Sequence, residues 1–151
     1  MPLLSIVIPA YNEDKMVVKA AEVLTQLMEK EKIEAELLFI NDGSKDQTWM
    51  EIERASKLFS NVKGLSFSRN FGKEAAILAG LEHAKGDCCV VIDCDLQHPP
   101  ETIIQMYSLW QDGYELIEGV KASRGSEGKL HGFFSKSFYR LINRATGFDM
   151  S

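Results

Sequence analysis

The sequence predicts an α/β fold, in which a mostly parallel β-sheet carries helices on both faces. Short apolar runs alternate with helix-periodic segments along the 151 residues, as they do in βαβ units. Polar clusters follow four of these runs, at the carboxyl ends of the predicted strands, where open parallel sheets bind ligands. The chain is long enough to bury the core of one domain, so we expect residues 1–151 to form a single domain.

Five short apolar runs predict the strands. The first stops at Pro9, which cannot continue a central strand, and the second ends in the turn cluster Asn41-Asp42-Gly43-Ser44. The fourth runs up to Asp93. The predicted strands span residues 4–8, 36–40, 62–67, 88–92 and 114–119.

Helical periodicity fills the segments between the strands. Asp46 is placed to cap the second helix, an alanine-rich stretch that stops before Gly86 predicts the third, and Pro100 suits the first turn of the fourth. Residues 121–132 are rich in glycine, serine and charge and are predicted to form a mobile loop. The predicted helices span residues 14–32, 46–59, 73–84, 100–111 and 133–145.

Composition and charge exclude several classes of protein. The net charge of -5 argues against a general nucleic-acid-binding protein. No apolar run approaches the roughly 20 residues that cross a bilayer. Cys88, Cys89 and Cys94 are an odd number around one strand and contain no CxxC pair, which favours reduced thiols and a cytoplasmic location.

The charge is distributed unevenly, because residues 121–151 carry six basic and only two acidic residues. In the last predicted helix, Lys136, Arg140 and Arg144 recur every four residues beside an apolar face. A basic amphipathic helix is attracted to an anionic lipid surface. A core helix with a solvated basic face has the same pattern, so both interpretations stay open.

The segment after the fourth predicted strand carries the strongest chemical signal. Asp93 and Asp95 are two carboxylates one residue apart, and Gln97 adds an amide oxygen. Paired carboxylates stay ionised at little cost when a cation lies between them. Oxygen ligands suit Mg²⁺ or Mn²⁺ better than zinc, so the pattern predicts a divalent-cation site, with a solvated turn as the alternative.

Three further residues favour a nucleoside diphosphate beside this cation. Tyr11 offers a ring for stacking on a base, and Asp42 can accept a hydrogen bond from a base or a ribose hydroxyl. Lys73, in the first turn of the third helix, can meet phosphate together with the free N–H groups of that helix. Each residue alone is equally explained as an ordinary surface or turn residue. No GxGxxG or GxxxxGK[ST] motif is present, which argues against a dinucleotide or P-loop site.

Four motifs, in order, resemble those of family 2 glycosyltransferases. They are Pro9-Ala10-Tyr11-Asn12-Glu13, Asn41-Asp42-Gly43-Ser44, Arg69-Asn70-Phe71-Gly72-Lys73 and Asp93-Cys94-Asp95-Leu96-Gln97-His98-Pro99-Pro100. The resemblance covers essentially the whole chain and is strongest to the polyprenyl-phosphate branch, which includes dolichyl-phosphate mannose synthases and bactoprenol- or undecaprenyl-phosphate sugar transferases. It implies a GT-A fold and a metal-dependent, inverting transfer of a hexose from a UDP- or GDP-sugar to a polyprenyl phosphate or another glycan or lipid acceptor.

The resemblance also assigns roles by position. The nucleoside is assigned to residues that follow the first two strands: Pro9, Tyr11, Glu13 and Asp42. The metal and the diphosphate are assigned to Asp93, Asp95 and Gln97. Arg124, in the predicted loop, is assigned to a phosphate of the donor or the acceptor. The resemblance further implies that the full-length protein is cytoplasmic and acts at the cytoplasmic face of a membrane.

The family pattern continues beyond residue 151, where the aspartate usually assigned as the base follows. We therefore expect an N-terminal catalytic part, and a nucleotide-sugar-binding fragment without turnover is the alternative. Haloacid-dehalogenase phosphatases also use Asp-x-Asp, but after the first strand rather than the fourth. Sugar-nucleotide pyrophosphorylases need a glycine-rich N-terminal loop, which the segment Pro9–Glu13 does not provide.

Overall fold

A computed structural model describes residues 2–117 of the chain. The predicted loop at 121–132, the predicted last helix and Arg124 lie outside the described residues. One compact unit ends at Gln105 and a second begins at Met106. Within residues 2–117, no helix is both long enough and apolar enough to span a membrane.

Four parallel strands form a sheet with the order β3-β2-β1-β4. Their bounds are β1 Leu3–Ala10, β2 Glu34–Asn41, β3 Val62–Ser66 and β4 Cys88–Val91. The strands are rich in Val, Ile, Leu and Phe, and residues 4–8 of β1 and 36–41 of β2 are fully buried. Such continuous apolar burial is expected of parallel strands covered on both faces.

The helices are α1 Val17–Lys30, α2 Thr48–Leu58, α3 Lys73–His83 and α4 Glu101–Gln111. Helices α1 and α2 pack on each other and on one face of the sheet, while α3 packs on β1 and β2. Side chains alternate between the two faces along a strand, and those of Val7 and Ile40 lie on the face covered by α3. The contact with α3 is close, because a Cβ added to Gly80 of that helix would lie only 2.3 Å from Val7 Cγ1. Helices therefore cover both faces, as predicted.

Strand β1 passes through Pro9 instead of stopping there. Pro9 pairs with Ile40 of β2, but the β4 partner has already ended, because the last β1–β4 pair is Val7 with Val91. At Pro9 the strand is thus effectively an edge, where proline is tolerated. The early end of β4 also opens the space beside Pro9 that the site occupies.

Several predicted boundaries differ from the structure by one to three residues, and the predicted fifth strand differs as well. Helix α1 begins at Val17 rather than residue 14, because the Asp14 N–H donates to the Asp46 carboxylate (3.3 Å) and residues 14–16 form a turn. Asp46 precedes the N-cap position of α2, although its carboxylate accepts the Thr48 N–H at 2.9 Å. Residues 114–117 are not a strand, and the remainder of the predicted fifth strand lies outside the described residues.

A buried carboxylate, Glu36, fixes the start of β4. It is only 4% exposed and accepts hydrogen bonds from the Ser5 hydroxyl, from the Lys85 N–H at 2.7 Å and from the Lys63 ammonium at 2.9 Å. The Ser5 hydroxyl in turn accepts the Gly86 N–H at 2.8 Å. Glu36 therefore anchors the turn that leads into β4, and β4 leads to Asp93.

Glu36→Gln should destabilise the protein at neutral pH by about 1–3 kcal/mol, because the new NH₂ group would face the Lys63 ammonium. Burial alone would raise the pKa of Glu36, but hydrogen bonds from Ser5, Lys85 and Lys63 outweigh it and lower this pKa below the usual 4.5. The stabilisation is therefore present above about pH 4.5 and is lost as the pH falls through the folded-state pKa.

Guanidinium unfolding at a series of pH values tests this prediction. The wild-type free energy of unfolding should fall more steeply below about pH 4.5 than that of the variant. Glu34→Gln, an exposed change at the start of the same strand, is the control. Parallel pH profiles for wild type and Glu36→Gln would contradict the assigned role of Glu36.

Candidate functional site

A cleft of about 260 Å³ opens at the carboxyl ends of the strands. The chain runs from β1 outward to β3 and then returns to place β4 on the other side of β1, so the strand order reverses between β1 and β4. Ligands of open α/β sheets bind at this topological switch point. The cleft is lined by Pro9, Ala10, Tyr11, Glu13, Asp42, Lys73, Asp93, Cys94 and Asp95.

The β1–α1 loop is held against the β2–α2 loop by side-chain hydrogen bonds. Asn12 N–H donates to Ser44 Oγ at 3.0 Å, and Asn12 Oδ1 accepts the Lys45 N–H at 2.9 Å. Glu13 N–H donates to the buried Thr48 hydroxyl at 2.8 Å. These bonds fix the backbone at Asn12 and Glu13, directly after Tyr11, and they could not be predicted from the sequence.

Asp42 organises the loop before α3. Its carboxylate is 3% exposed and accepts the Phe71 N–H at 2.8 Å, the Gly72 N–H at 3.1 Å and the Asn70 side-chain amide at 3.2 Å. The N–H groups of Phe71 and Gly72 that bind Asp42 precede the first residue of α3, Lys73, and Asp42 also lines the cleft. The predicted roles of Asp42 as a base or ribose ligand, and of the first α3 N–H groups as a phosphate site, stay predictions.

The glycine next to Asp42 allows this loop to approach. Gly43 has a φ of +63°, and a Cβ on it would lie 2.1 Å from the Arg69 carbonyl carbon and 2.2 Å from the Asn70 nitrogen. Both the backbone conformation and the space exclude a side chain. Gly43 is therefore required for the contact between the β2 end and the loop that leads to Lys73.

After β4 the chain turns and presents two carboxylates. Asp93 and Asp95 are partly exposed in the cleft, whereas Cys94 between them is 2% exposed. Leu96 has a φ of +56°, a conformation that costs a non-glycine residue about 1–3 kcal/mol. It turns the chain so that the Gln97 N–H donates to Asp95 Oδ1 at 3.2 Å.

Charge accumulates in this cleft. Burial raises the pKa of Glu13, and the nearby carboxylates of Asp95, Asp93 and Asp46 raise this pKa further. Burial, with smaller effects of Glu13, Asp95 and Asp93, raises the pKa of Cys94 to about 12. The Cys94 thiol is therefore protonated at neutral pH and is a poor nucleophile. A cation in the cleft would relieve the repulsion among the carboxylates.

The Lys73 ammonium forms an ion pair with one of these carboxylates, Asp93. The Lys73 ammonium lies 2.6 Å from Asp93 Oδ1, and the two side chains are 61% and 41% exposed. Lys73 is the first residue of α3, so the loop that Asp42 holds also fixes the backbone position of Lys73. The ion pair brings the third and fourth sequence motifs together.

The structure places seven of the sequence-predicted residues in one cleft. They are Pro9, Tyr11, Glu13, Asp42, Lys73, Asp93 and Asp95. Gln97 is exposed and is not among the lining residues, and Arg124 lies outside the described residues. Ala10 and Cys94 also line the cleft, but no chemical pattern in the sequence marks them out.

Residues 5–149 match the model of glycosyl transferase family 2. The chain is 41% identical over 146 residues to an uncharacterized glycosyltransferase of Bacillus subtilis, covering 97% of this chain and 45% of that protein. It is 38% identical over 141 residues to the bactoprenol glucosyl transferase of Shigella phage SfV, and the match covers 93% of this chain and 46% of that protein. The chain thus spans less than half the length of these curated relatives.

Solved structures share the fold at low sequence identity. A mannosyltransferase from Pyrobaculum calidifontis, in complex with GDP-Man and Mn²⁺, superposes with a TM-score of 0.61 at 19% identity and covers 94% of this chain and 39% of that one. Staphylococcus aureus TarS in complex with UDP superposes with a TM-score of 0.59 at 20% identity, and the match covers 82% of this chain and 38% of TarS.

Proposed function

This chain belongs to glycosyltransferase family 2, and we propose on that basis that it transfers a hexose from a UDP- or GDP-sugar to a polyprenyl phosphate or another glycan or lipid acceptor. One observation carries the proposal for the site: seven residues predicted to hold the donor line a single cleft at the carboxyl ends of β1, β2 and β4. Relatives named bactoprenol glucosyl transferases, at 38% identity, support the acceptor class.

The nucleoside is proposed to lie against the β1 and β2 ends of the cleft. Tyr11 is 43% exposed and lines the cleft, and its ring is proposed to stack on the base. Pro9 and Glu13 flank it, and the hydrogen bonds of Asn12 and Glu13 hold the loop in place before any ligand arrives. Such preorganisation reduces the entropy that is lost on binding.

The carboxylates fit a divalent cation. Within residues 2–117 no group of three His, Cys, Asp or Glu side chains is suited to a metal, and the cation is proposed to bind the pair Asp93 and Asp95, two of the four carboxylates that line the cleft. Mg²⁺ is usually held by one or two carboxylates plus water and substrate phosphates. The Lys73 ammonium at 2.6 Å shows that Asp93 accepts a cation at short range. Mg²⁺ or Mn²⁺ bound there would neutralise the charge that develops on the leaving diphosphate.

The transfer step needs no base on the acceptor. A polyprenyl phosphate is already anionic at neutral pH, and one of its oxygens attacks the anomeric carbon opposite the diphosphate. The new C–O bond forms as the bond to the diphosphate breaks, and the electron pair leaves with the nucleoside diphosphate. Attack from the opposite side inverts the configuration of the sugar. Lys73 is proposed to compensate the charge on the diphosphate, and Arg124 the charge on a donor or acceptor phosphate.

The proposed acceptor is membrane-borne, which would place the protein at the cytoplasmic face of a membrane. The basic stripe of Lys136, Arg140 and Arg144 in the sequence is proposed to favour this anionic surface.

A second function, nucleotide-sugar binding without turnover, needs only the donor-side residues, which line one cleft within residues 9–95. Both activities should be measured on one sample of the purified chain, with donor binding followed by calorimetry and transfer by radiolabelled sugar appearing on a short-chain polyprenyl phosphate. The proposed function predicts metal-dependent binding together with transfer. Binding without transfer would replace it by the second function, and absence of both would contradict the donor site.

A further inference from the structure

The ion pair between Lys73 and Asp93 lies inside the cleft where the cation and the donor are proposed to bind. Lys73 Nζ is 2.6 Å from Asp93 Oδ1, and both residues line the same cavity as Asp95. An ammonium so close to Asp93 Oδ1 hinders a metal ion from binding the same oxygen, which for Mg²⁺ would lie at roughly 2.0–2.1 Å. The two cations also repel each other, so they compete for Asp93.

The backbone beneath Lys73 is fixed, and only its side chain is free to change partner. Asp42 accepts the N–H groups of Phe71 at 2.8 Å and Gly72 at 3.1 Å, and Ala76 N–H donates to the Gly72 carbonyl at 3.1 Å. The Lys73 side chain is 61% exposed and carries a flexible four-carbon stem. An exposed ion pair is weak, with a free energy that corresponds to about a 1.5- to 5-fold change in affinity, so a ligand can displace it.

We propose that Lys73 passes from Asp93 to the diphosphate of the donor when the divalent cation binds, so that the cation and the donor each strengthen the binding of the other. This inference rests on the proposed function. Without a nucleotide, the cation must displace Lys73 and leave it beside a second positive charge. With a nucleotide, the diphosphate provides a new partner for Lys73. By linkage, the cation then raises the affinity for the nucleotide by the same factor.

Lys73→Met tests the exchange, because it keeps the length and apolar stem of the side chain and removes its charge. Mn²⁺ alone should bind the variant about 1.5- to 5-fold more tightly than the wild type, since its competitor is gone. The factor by which saturating UDP or GDP raises Mn²⁺ affinity should fall by a similar amount, about 1.5- to 5-fold. Calorimetric titration of Mn²⁺ with and without nucleotide gives both quantities, and neither depends on turnover.

Two further variants complete the comparison. Lys45→Met removes the same charge from the neighbouring exposed loop, outside the residues that line the cleft, and should behave as wild type. Lys73→Arg keeps the charge and should retain most of the coupling. Thermal unfolding of each variant checks the fold. Mn²⁺ affinity in Lys73→Met that equals or falls below the wild-type value, or an unchanged coupling factor, would overturn the exchange.

Asp93→Asn separates this inference from the proposed function. If Asp93→Asn loses Mn²⁺ binding while Lys73→Met keeps the wild-type Mn²⁺ affinity and coupling factor, the cation site stands. Only the proposed movement of Lys73 from Asp93 to the diphosphate is then overturned. Undiminished Mn²⁺ binding in Asp93→Asn would remove the cation site itself, and the exchange with it. Loss of Mn²⁺ binding in Asp93→Asn with tighter binding in Lys73→Met supports both.

Discussion

Asp95→Asn is expected to weaken Mn²⁺-dependent binding of UDP or GDP by at least roughly 100-fold, since even changes behind the direct ligands cost about 10–100-fold in metal affinity. The substitution removes one of the paired carboxylates, Asp93 and Asp95, that are proposed to hold the cation. It keeps an amide oxygen that can still accept the Gln97 N–H, now 3.2 Å from Asp95 Oδ1. The fold should therefore remain, and Mn²⁺ titration with a thermal melt measures both effects.

The matched control is Asp112→Asn, which makes the same exchange at an exposed turn after α4. It should leave Mn²⁺ and nucleotide affinity unchanged. Equal losses in the two variants would point to a general effect of net charge rather than to direct ligation by Asp95.

Gly43→Ala is expected to destabilise the protein by about 2–6 kcal/mol, the sum of a strained φ and an overpacked contact. The added Cβ would lie 2.1 Å from the Arg69 carbonyl carbon, and main-chain atoms cannot move aside without moving the loop. That loop carries Lys73 and is held by Asp42. Donor affinity should also fall, because displacement of this loop would move Lys73 away from the cleft.

Gly113→Ala separates strain from steric clash. Gly113 has a φ of +105°, and a Cβ there would meet nothing within 4 Å in the described part of the chain. Chemical denaturation should show Gly43→Ala to be clearly less stable than Gly113→Ala, and calorimetry should show weaker donor binding only in the former. Equal stabilities with intact donor binding would mean that the close approach at Gly43 does not shape the site.

The sequence was sufficient to predict the fold class, because burial on both faces leaves a strong signal in the strands. The core of β1, residues 4–8, is apolar except for Ser5 and was predicted as a strand. The likeness to solved glycosyltransferases confirms the predicted GT-A fold. The ends of strands depend on the neighbouring strands, which the sequence does not show. Strand β1 continues through Pro9 only because the adjacent strand β4 has already ended. The division into domains stays a prediction.

The composition of the site could be predicted, but its internal bonds could not. The motif residues of β1 and β4 meet because parallel strands end at the same edge of the sheet. The pairing of Asp42 with the Gly72 N–H, or of Lys73 with Asp93, joins residues 30 and 20 positions apart, and no local pattern encodes such partners. The bond between Asn12 and Ser44, 32 positions apart, is another example, because the sequence had placed the two residues only in separate motifs.

The central claim is that the cleft at Asp93 and Asp95 binds a nucleotide sugar through a divalent cation. It is tested most directly by calorimetric titration of a UDP- and a GDP-sugar into the wild type and Asp95→Asn, each with Mn²⁺ and with EDTA. The account predicts that wild type binds one of the two donors with Mn²⁺, that EDTA abolishes this binding, and that Asp95→Asn with Mn²⁺ resembles wild type in EDTA. Undiminished metal-dependent binding by Asp95→Asn would contradict it.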